Sequence, residues 1–296
     1  HRDCDEDRAA DIAAGLRPVD PRTWFELPRR RLPDQPSVRA MVFPAGHMLG
    51  AGMLLVEIPT DDGPFRLLFT GDFCCHDQPL VAGAALPRPT GDFRIDALVM
   101  EGVLATDQRA DAVDFDDELA AFGDWMAQRT GPGLVAVNAL GESMELAATL
   151  AEEGERPVLH PDLEPVFEAY RRVFGASWER VTVAEPAHTL SFLREGRVVL
   201  APGDQLEPGT PAFELAGNIF DDDRARIAVT NRAYRSTIAG ELLSADPGTH
   251  LESFGAPKPL RAGVRRFTLP NHAPRWQLTG TVQAVDPDRV VLIHGK

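Results

Sequence analysis

Five segments place a histidine or a carboxylate directly behind a short apolar run: P-A-G-H at 44–47, F-T-G-D at 69–72, L-V-M-E at 98–101, L-P-N-H at 269–272 and L-I-H-G at 292–295. Imidazole nitrogen and carboxylate oxygen are donors that zinc takes, and one aspartate can bridge two ions through its two oxygens. Gly46, Gly71, Gly102 and Gly295 stand inside or beside four of these segments, and a residue without Cβ lets backbone pass close to a ligand. Taken singly, each segment has an ordinary structural explanation. A histidine behind a strand often packs with its ring bonded to backbone, T-G-D at 70–72 can be an Asx turn, and Glu101 can cap the next element. Five in one chain form instead the pattern of a metal site assembled from distant parts of the sequence.

Such convergence needs strands whose carboxyl ends share an edge, as in layered α/β architectures. Val38 to Phe43, Gly52 to Ile58 and Phe65 to Phe69 are short apolar runs, and D-D-G at 61–63 joins the last two as a hairpin. A helix over 5–16 precedes them, and Asp96 to Met100 forms a further buried strand. The texture then changes. Helices are expected over 114–129, 142–154, 161–174 and 232–244, and strands over 133–138, 157–160, 180–184, 197–201 and 226–230, the alternation of a parallel sheet. Arg265 to Leu269, a helix near 275–284 and a strand from Arg289 to Ile293 return to the first texture. The middle section therefore reads as an insertion into a fold whose two sides come early and late.

With 296 residues, 44% of them hydrophobic, the chain has ample material for one large or two smaller cores. Its 30 Lys plus Arg against 45 Asp plus Glu give a net charge of -15, which excludes nucleic-acid binding by bulk attraction and leaves only local contacts. Three cysteines, two adjacent as Cys74 and Cys75, offer no disulfide framework and suit a reducing, cytoplasmic setting. The longest apolar run, Ala40 to Val56, is interrupted by Pro44, His47 and three glycines, so no membrane partner is expected. The opening H-R-D-C and the stop at Lys296, directly behind V-V-L-I, are expected of a fragment or a processed chain.

A-G-H-M-L-G-A-G at 45–52 and F-T-G-D-F at 69–73 resemble the third and fourth motifs of the metallo-β-lactamase fold in its β-CASP branch, the RNA- and DNA-processing nucleases. L-V-M-E-G at 98–102 is similar to that branch's motif A, N-H-A at 271–273 to motif B, and L-I-H-G at 292–295 to motif C. The resemblance covers nearly the whole chain. It implies a metallo-β-lactamase-like αββα sandwich, partial here, over residues 1–104 and 265–296, with an inserted α/β β-CASP domain over 105–264. It further implies that His47 ligates the first of two zinc ions, that Asp72 bridges both and that His294 completes the second. Glu101 would orient His272, and His272 would contact the scissile phosphate or protonate the leaving oxygen, while a metal-bridged hydroxide attacks phosphorus. Glu at motif A and His at motif C resemble the RNA-processing members, so single-stranded RNA is favoured over DNA.

The family's H-x-H-x-D-H motif is absent. His1, Asp3 and Cys4 match only its back half, with too few residues between them and His47, and the motif is expected ahead of residue 1. The chain then offers three ligands for two ions, and by itself should bind zinc poorly and be inactive. Pro270, Asn271 and Pro274 also depart from motif B, Gly102 and Val103 from motif A, and Glu142 stands where the family has a phosphate-binding arginine. In T-N-R-A-Y-R at 230–235, Arg232 and Arg235 are candidates for holding an RNA backbone and Tyr234 for stacking a base, with a solvated helix start as the alternative. R-R-R at 29–31 reads as a solvated basic loop, and Cys74, Cys75 and His76 as packing residues. Two functions are open: a zinc-dependent phosphodiester hydrolase of the β-CASP ribonuclease type, endo- or exonucleolytic, and a catalytically degenerate β-CASP binding or scaffold protein. Homo-oligomerisation is compatible with both.

Overall fold

The computed structural model describes residues 17–27, 37–230 and 233–295. In chain order its elements begin with strands β1 (Phe25–Glu26), β2 (Arg39–Pro44), β3 (Gly52–Thr60), β4 (Gly63–Phe69) and β5 (Ala97–Glu101). Helices α1 (Gln108–Ala112) and α2 (Phe115–Ala127), strand β6 (Gly133–Val137), helix α3 (Glu142–Glu152), strand β7 (Val158–Leu159), helix α4 (Glu164–Phe174) and strand β8 (Thr182–Val183) follow. Then come α5 (Thr189–Arg194), β9 (Val198–Pro202), α6 (Pro211–Ala216), β10 (Arg226–Thr230), α7 (Ile238–Ser244), β11 (His250–Leu251), β12 (Lys258–Pro259), β13 (Gly263–Phe267), α8 (Arg275–Val285) and β14 (Arg289–Ile293).

The first sheet has the order β1-β2-β3-β4-β5-β14. Strands β1 to β4 pair antiparallel, with Thr60 opposite Gly63 closing the hairpin at the expected place, and β5 lies parallel to both β4 and β14. Period-two alternation puts Met53 and Leu55 of β3 and Leu98 and Met100 of β5 on one face, where Leu278 and Val285 of α8 cover them. Ile58, Phe69, Val291 and Leu292 are exposed. Of the expected sandwich, the described residues thus hold one sheet and a helix upon it.

The second sheet, β13-β10-β6-β9-β7-β8, is parallel throughout. Its central β6 (G-L-V-A-V) is buried along its whole length, as a strand covered on both faces must be. Leu134 and Ala136 pack with Leu215 of α6 and Leu242 of α7. Val135 and Val137 face the other way, against Phe122 of α2, Leu146 of α3 and Phe167 of α4. Aspartate at the N-cap starts α2, since the Asp114 side chain accepts from the backbone of Asp116 and Asp117.

Two expectations are corrected. Arg265 to Leu269 was to return to the first texture, yet the strand there, β13, pairs in register with β10 as an edge of the second sheet, so a boundary drawn at 265 cuts through it. The helix expected over 232–244 begins only at Ile238, because Thr237 caps it by accepting from Gly240 N while Tyr234 N is drawn away to Gln205 Oε1. The helix expected over 5–16, the loop at 29–31, Arg232, and His1, Asp3 and Cys4 lie outside the described residues.

Candidate metal centre and cleft

His47 follows Gly46, whose φ of +73° and surroundings admit no side chain: a Cβ there would stand 2.2 Å from the carbonyl oxygen of Cys74. The turn aims the imidazole across the molecule, where Nδ1 lies 2.8 Å from the backbone oxygen of Asn271. A carbonyl only accepts, so Nδ1 carries the proton and Nε2 keeps its lone pair, the state a metal ligand needs. Burial, the largest influence on this ring, holds its pKa below the ordinary value, and the ring is neutral at pH 7.

Asp72 is delivered by the turn behind β4. Thr70 N donates to Val99 O at 2.9 Å, tying that turn to β5, and Phe73 N donates to Glu101 Oε1 at 2.8 Å. The Glu101 carboxylate is 1% exposed. It also receives His272 Nδ1, at 2.9 Å to Oε2 and 3.1 Å to Oε1. Burial is the largest single influence on His272 and lowers its pKa, but the hydrogen bond and charge of Glu101, with the charge of Asp72, outweigh it, and the imidazole ends above its ordinary value.

The His47 and His272 rings lie 4.6 Å apart, and ligand atoms of His47, Asp72 and His272 all fall within 4.8 Å of one another. This is the one group of its kind among the described residues. His47 Nε2 and the Asp72 carboxylate are donors of the kind zinc takes, and His272, its Nδ1 held by Glu101, stands beside them. His294, expected to complete a second ion, sits exposed behind β14 with φ +51°.

Beside His272 opens a cleft of about 290 Å³. Its walls are the segments behind β5 (Val103, Leu104), β6 (Asn138), β9 (Asp204, Gln205), β10 (Tyr234) and β13 (Thr268, Asn271). The carboxyl edges of both sheets therefore meet here, and β6 is where successive crossovers turn to opposite sides, the place where open α/β sheets bind ligands. Tyr234 lines the cleft and Arg235 the neighbouring cavity, as candidates for substrate contact. Sequence reasoning missed the Asn271 carbonyl, a backbone group with no residue signature, and Arg266, which lines the same cleft. Cys74 packs as expected: burial pushes its thiol up to about 12, far from the thiolate that binds metals.

No family profile matches the chain. Among individual proteins, endoribonuclease ysh1 of Emericella nidulans is 31% identical over 318 aligned positions, covering 88% of this chain and 35% of that protein. Cleavage and polyadenylation specificity factor subunit 3 of Dictyostelium discoideum is 24% identical, covering 90% of this chain and 36% of its own length. Cleavage and polyadenylation specificity factor 73 of Drosophila melanogaster is 24% identical, covering 97% and 43%. The chain spans 35–43% of the length of these curated relatives.

Proposed function

We propose that the chain forms the greater part of the catalytic face of a zinc-dependent endoribonuclease of the β-CASP type. The observation that carries this reading is the Glu101–His272 pair standing beside His47 and Asp72, which reunites four residues from sequence-distant strand ends. The relatives named as an endoribonuclease and as cleavage and polyadenylation specificity factors support the substrate class and the endonucleolytic mode.

In this reading His47 and Asp72 hold zinc, with the ligand atoms of His272 in reach of the same position. When bound, zinc supplies positive charge against the phosphoryl oxygens and lowers the pKa of its water. The chain's own residues do the rest. Glu101 fixes the ring of His272 and stabilises its protonated form, and the Nε2 proton of His272, which lines the cleft, is delivered to the leaving oxygen. Tyr234, 41% exposed in the same cleft, offers a ring on which an unpaired base stacks.

Cleavage of a labelled single-stranded RNA by a protein carrying residues 1–296 tests the reading. Asp72→Ala should abolish cleavage while leaving the circular dichroism spectrum and melting profile intact; full residual activity rejects it. A second reading, a β-CASP scaffold without catalysis, is favoured by the carboxylates of Asp107, Glu142 and Asp204 in the cleft wall, which repel a phosphate backbone. Zinc-loaded wild-type protein that binds RNA without cutting it would select that alternative.

A further inference from the structure

Next to the cleft lies a second cavity, of about 410 Å³, lined by four arginines: Arg109, Arg235, Arg265 and Arg266. No carboxylate lines it. In a protein with 45 acidic and 30 basic side chains, four arginines around one cavity without a carboxylate concentrate positive charge locally. Arg39, Arg66, Arg94, Arg129, Arg171, Arg224 and Arg275 each pair with a carboxylate, whereas Arg109, Arg235 and Arg265 form no ion pair among the described residues. Arg265 instead lies over the Phe267 ring at 4.5 Å, which holds its guanidinium in place without neutralising it.

The two cavities adjoin. Arg266 lines both. Adjacent residues of the other elements divide between them: Ala110 faces the cleft and Arg109 the arginine cavity, Tyr234 the cleft and Arg235 the cavity. A strand with its reacting phosphate at His272 and a base against Tyr234 therefore has its next backbone phosphates among the arginines. Guanidinium groups bind phosphate bidentately and keep their charge at any working pH.

We propose that this cavity is a subsite for the phosphates flanking the scissile bond, and that Arg109 and Arg265 supply its charge together with Arg235. The proposal rests on the RNA-cleaving reading of the cleft, and it explains how a chain of net charge -15 holds a polyanion: the contact is local and lies one step from the carboxylate-bearing cleft wall.

The test is the salt dependence of binding of a fluorescent single-stranded oligoribonucleotide, with wild type, the double variant Arg109→Ala/Arg265→Ala and the charge-preserving double variant Arg109→Lys/Arg265→Lys. Each lost phosphate contact on a single strand lowers the slope of log K against log salt by about 0.7, so the alanine pair should lose about 1.4 of slope and the lysine pair little of it. A lysine pair with wild-type slope beside an alanine pair with reduced slope supports the proposal, and the lysine pair controls for folding. Wild-type slope in the alanine pair overturns the proposal and leaves the RNA-binding reading standing. Absence of RNA binding by wild type at every salt concentration overturns both.

Discussion

Glu101 holds two parts of the centre at once, since one buried carboxylate accepts from the backbone of the Asp72 turn and from the His272 ring. Its removal therefore disturbs orientation before it disturbs packing. Glu101→Gln keeps the shape and an acceptor for Phe73 N but loses the charge that favours an imidazolium. Cleavage should fall by about 10–100-fold, the usual cost of losing a carboxylate behind a functional histidine. His272→Ala removes the proton donor itself, and its cleavage rate should fall by about 10²–10⁴-fold with zinc content unchanged. Single-turnover cleavage with metal analysis of the same samples checks both, and loss of zinc on His272→Ala would make that residue a ligand in place of a proton donor. His47 and Asp72 were legible as donors because their types and the glycines beside them announce the role. The link from His47 to Asn271 was not, since its acceptor is main chain.

Strand ends aim these side chains, and helix α3 holds the segment at Leu80, two residues from Gln78, whose side chain donates to the backbone oxygens of Gly46 and His47. Glu145 of α3, 4% exposed, accepts from Leu80 N at 2.7 Å through Oε2, while its Oε1 has no partner among the described residues. Burial raises its pKa to about 7 from the model-compound value of 4.5. The folded state therefore binds a proton that the unfolded state releases between these values. The associated stability is fully present below pH 4.5 and is lost as pH rises through 7, by about 3 kcal/mol. Glu145→Gln keeps an acceptor for Leu80 and cannot ionise, so its melting temperature should exceed that of wild type above pH 7. The difference should shrink toward pH 4.5. Parallel melting curves for the two proteins across pH 4.5–8 would remove the buried carboxyl from the account. Sequence showed α3 as a helix from its apolar spacing, but not that ten consecutive residues of it, Glu142 through Ala151, are buried. That burial arises because loops of the first unit close over the face the sheet leaves open, as Leu49 N on the Tyr170 hydroxyl and Leu80 on Glu145 show.

At the scale of the molecule the centre depends on how tightly the two sheets' units meet. Gly141, before α3, has φ +76° and leaves so little room that a Cβ would stand 2.9 Å from Met48 Cβ, one residue from His47. Gly141→Ala should cost about 1–3 kcal/mol through backbone strain and should lower cleavage more than its stability loss explains, because it pushes on the His47 loop. Melting and cleavage assays at a temperature where the variant is fully folded separate the two effects. Alternation of apolar residues and turn chemistry determined from the sequence alone that His47, Asp72, Glu101 and His272 stand at or shortly behind strand ends, and that a parallel α/β section interrupts a more antiparallel one. Those are local properties, written in periods of two and 3.6 residues. Only the tertiary structure decided that β13 joins the second sheet, that His272 stands in one group with His47 and Asp72, and that Arg109, Arg235 and Arg265 surround one cavity. Each of these turns on pairing between segments far apart in the chain, and the energy of such a pairing comes from whole surfaces fitting together, which no short window of residues contains.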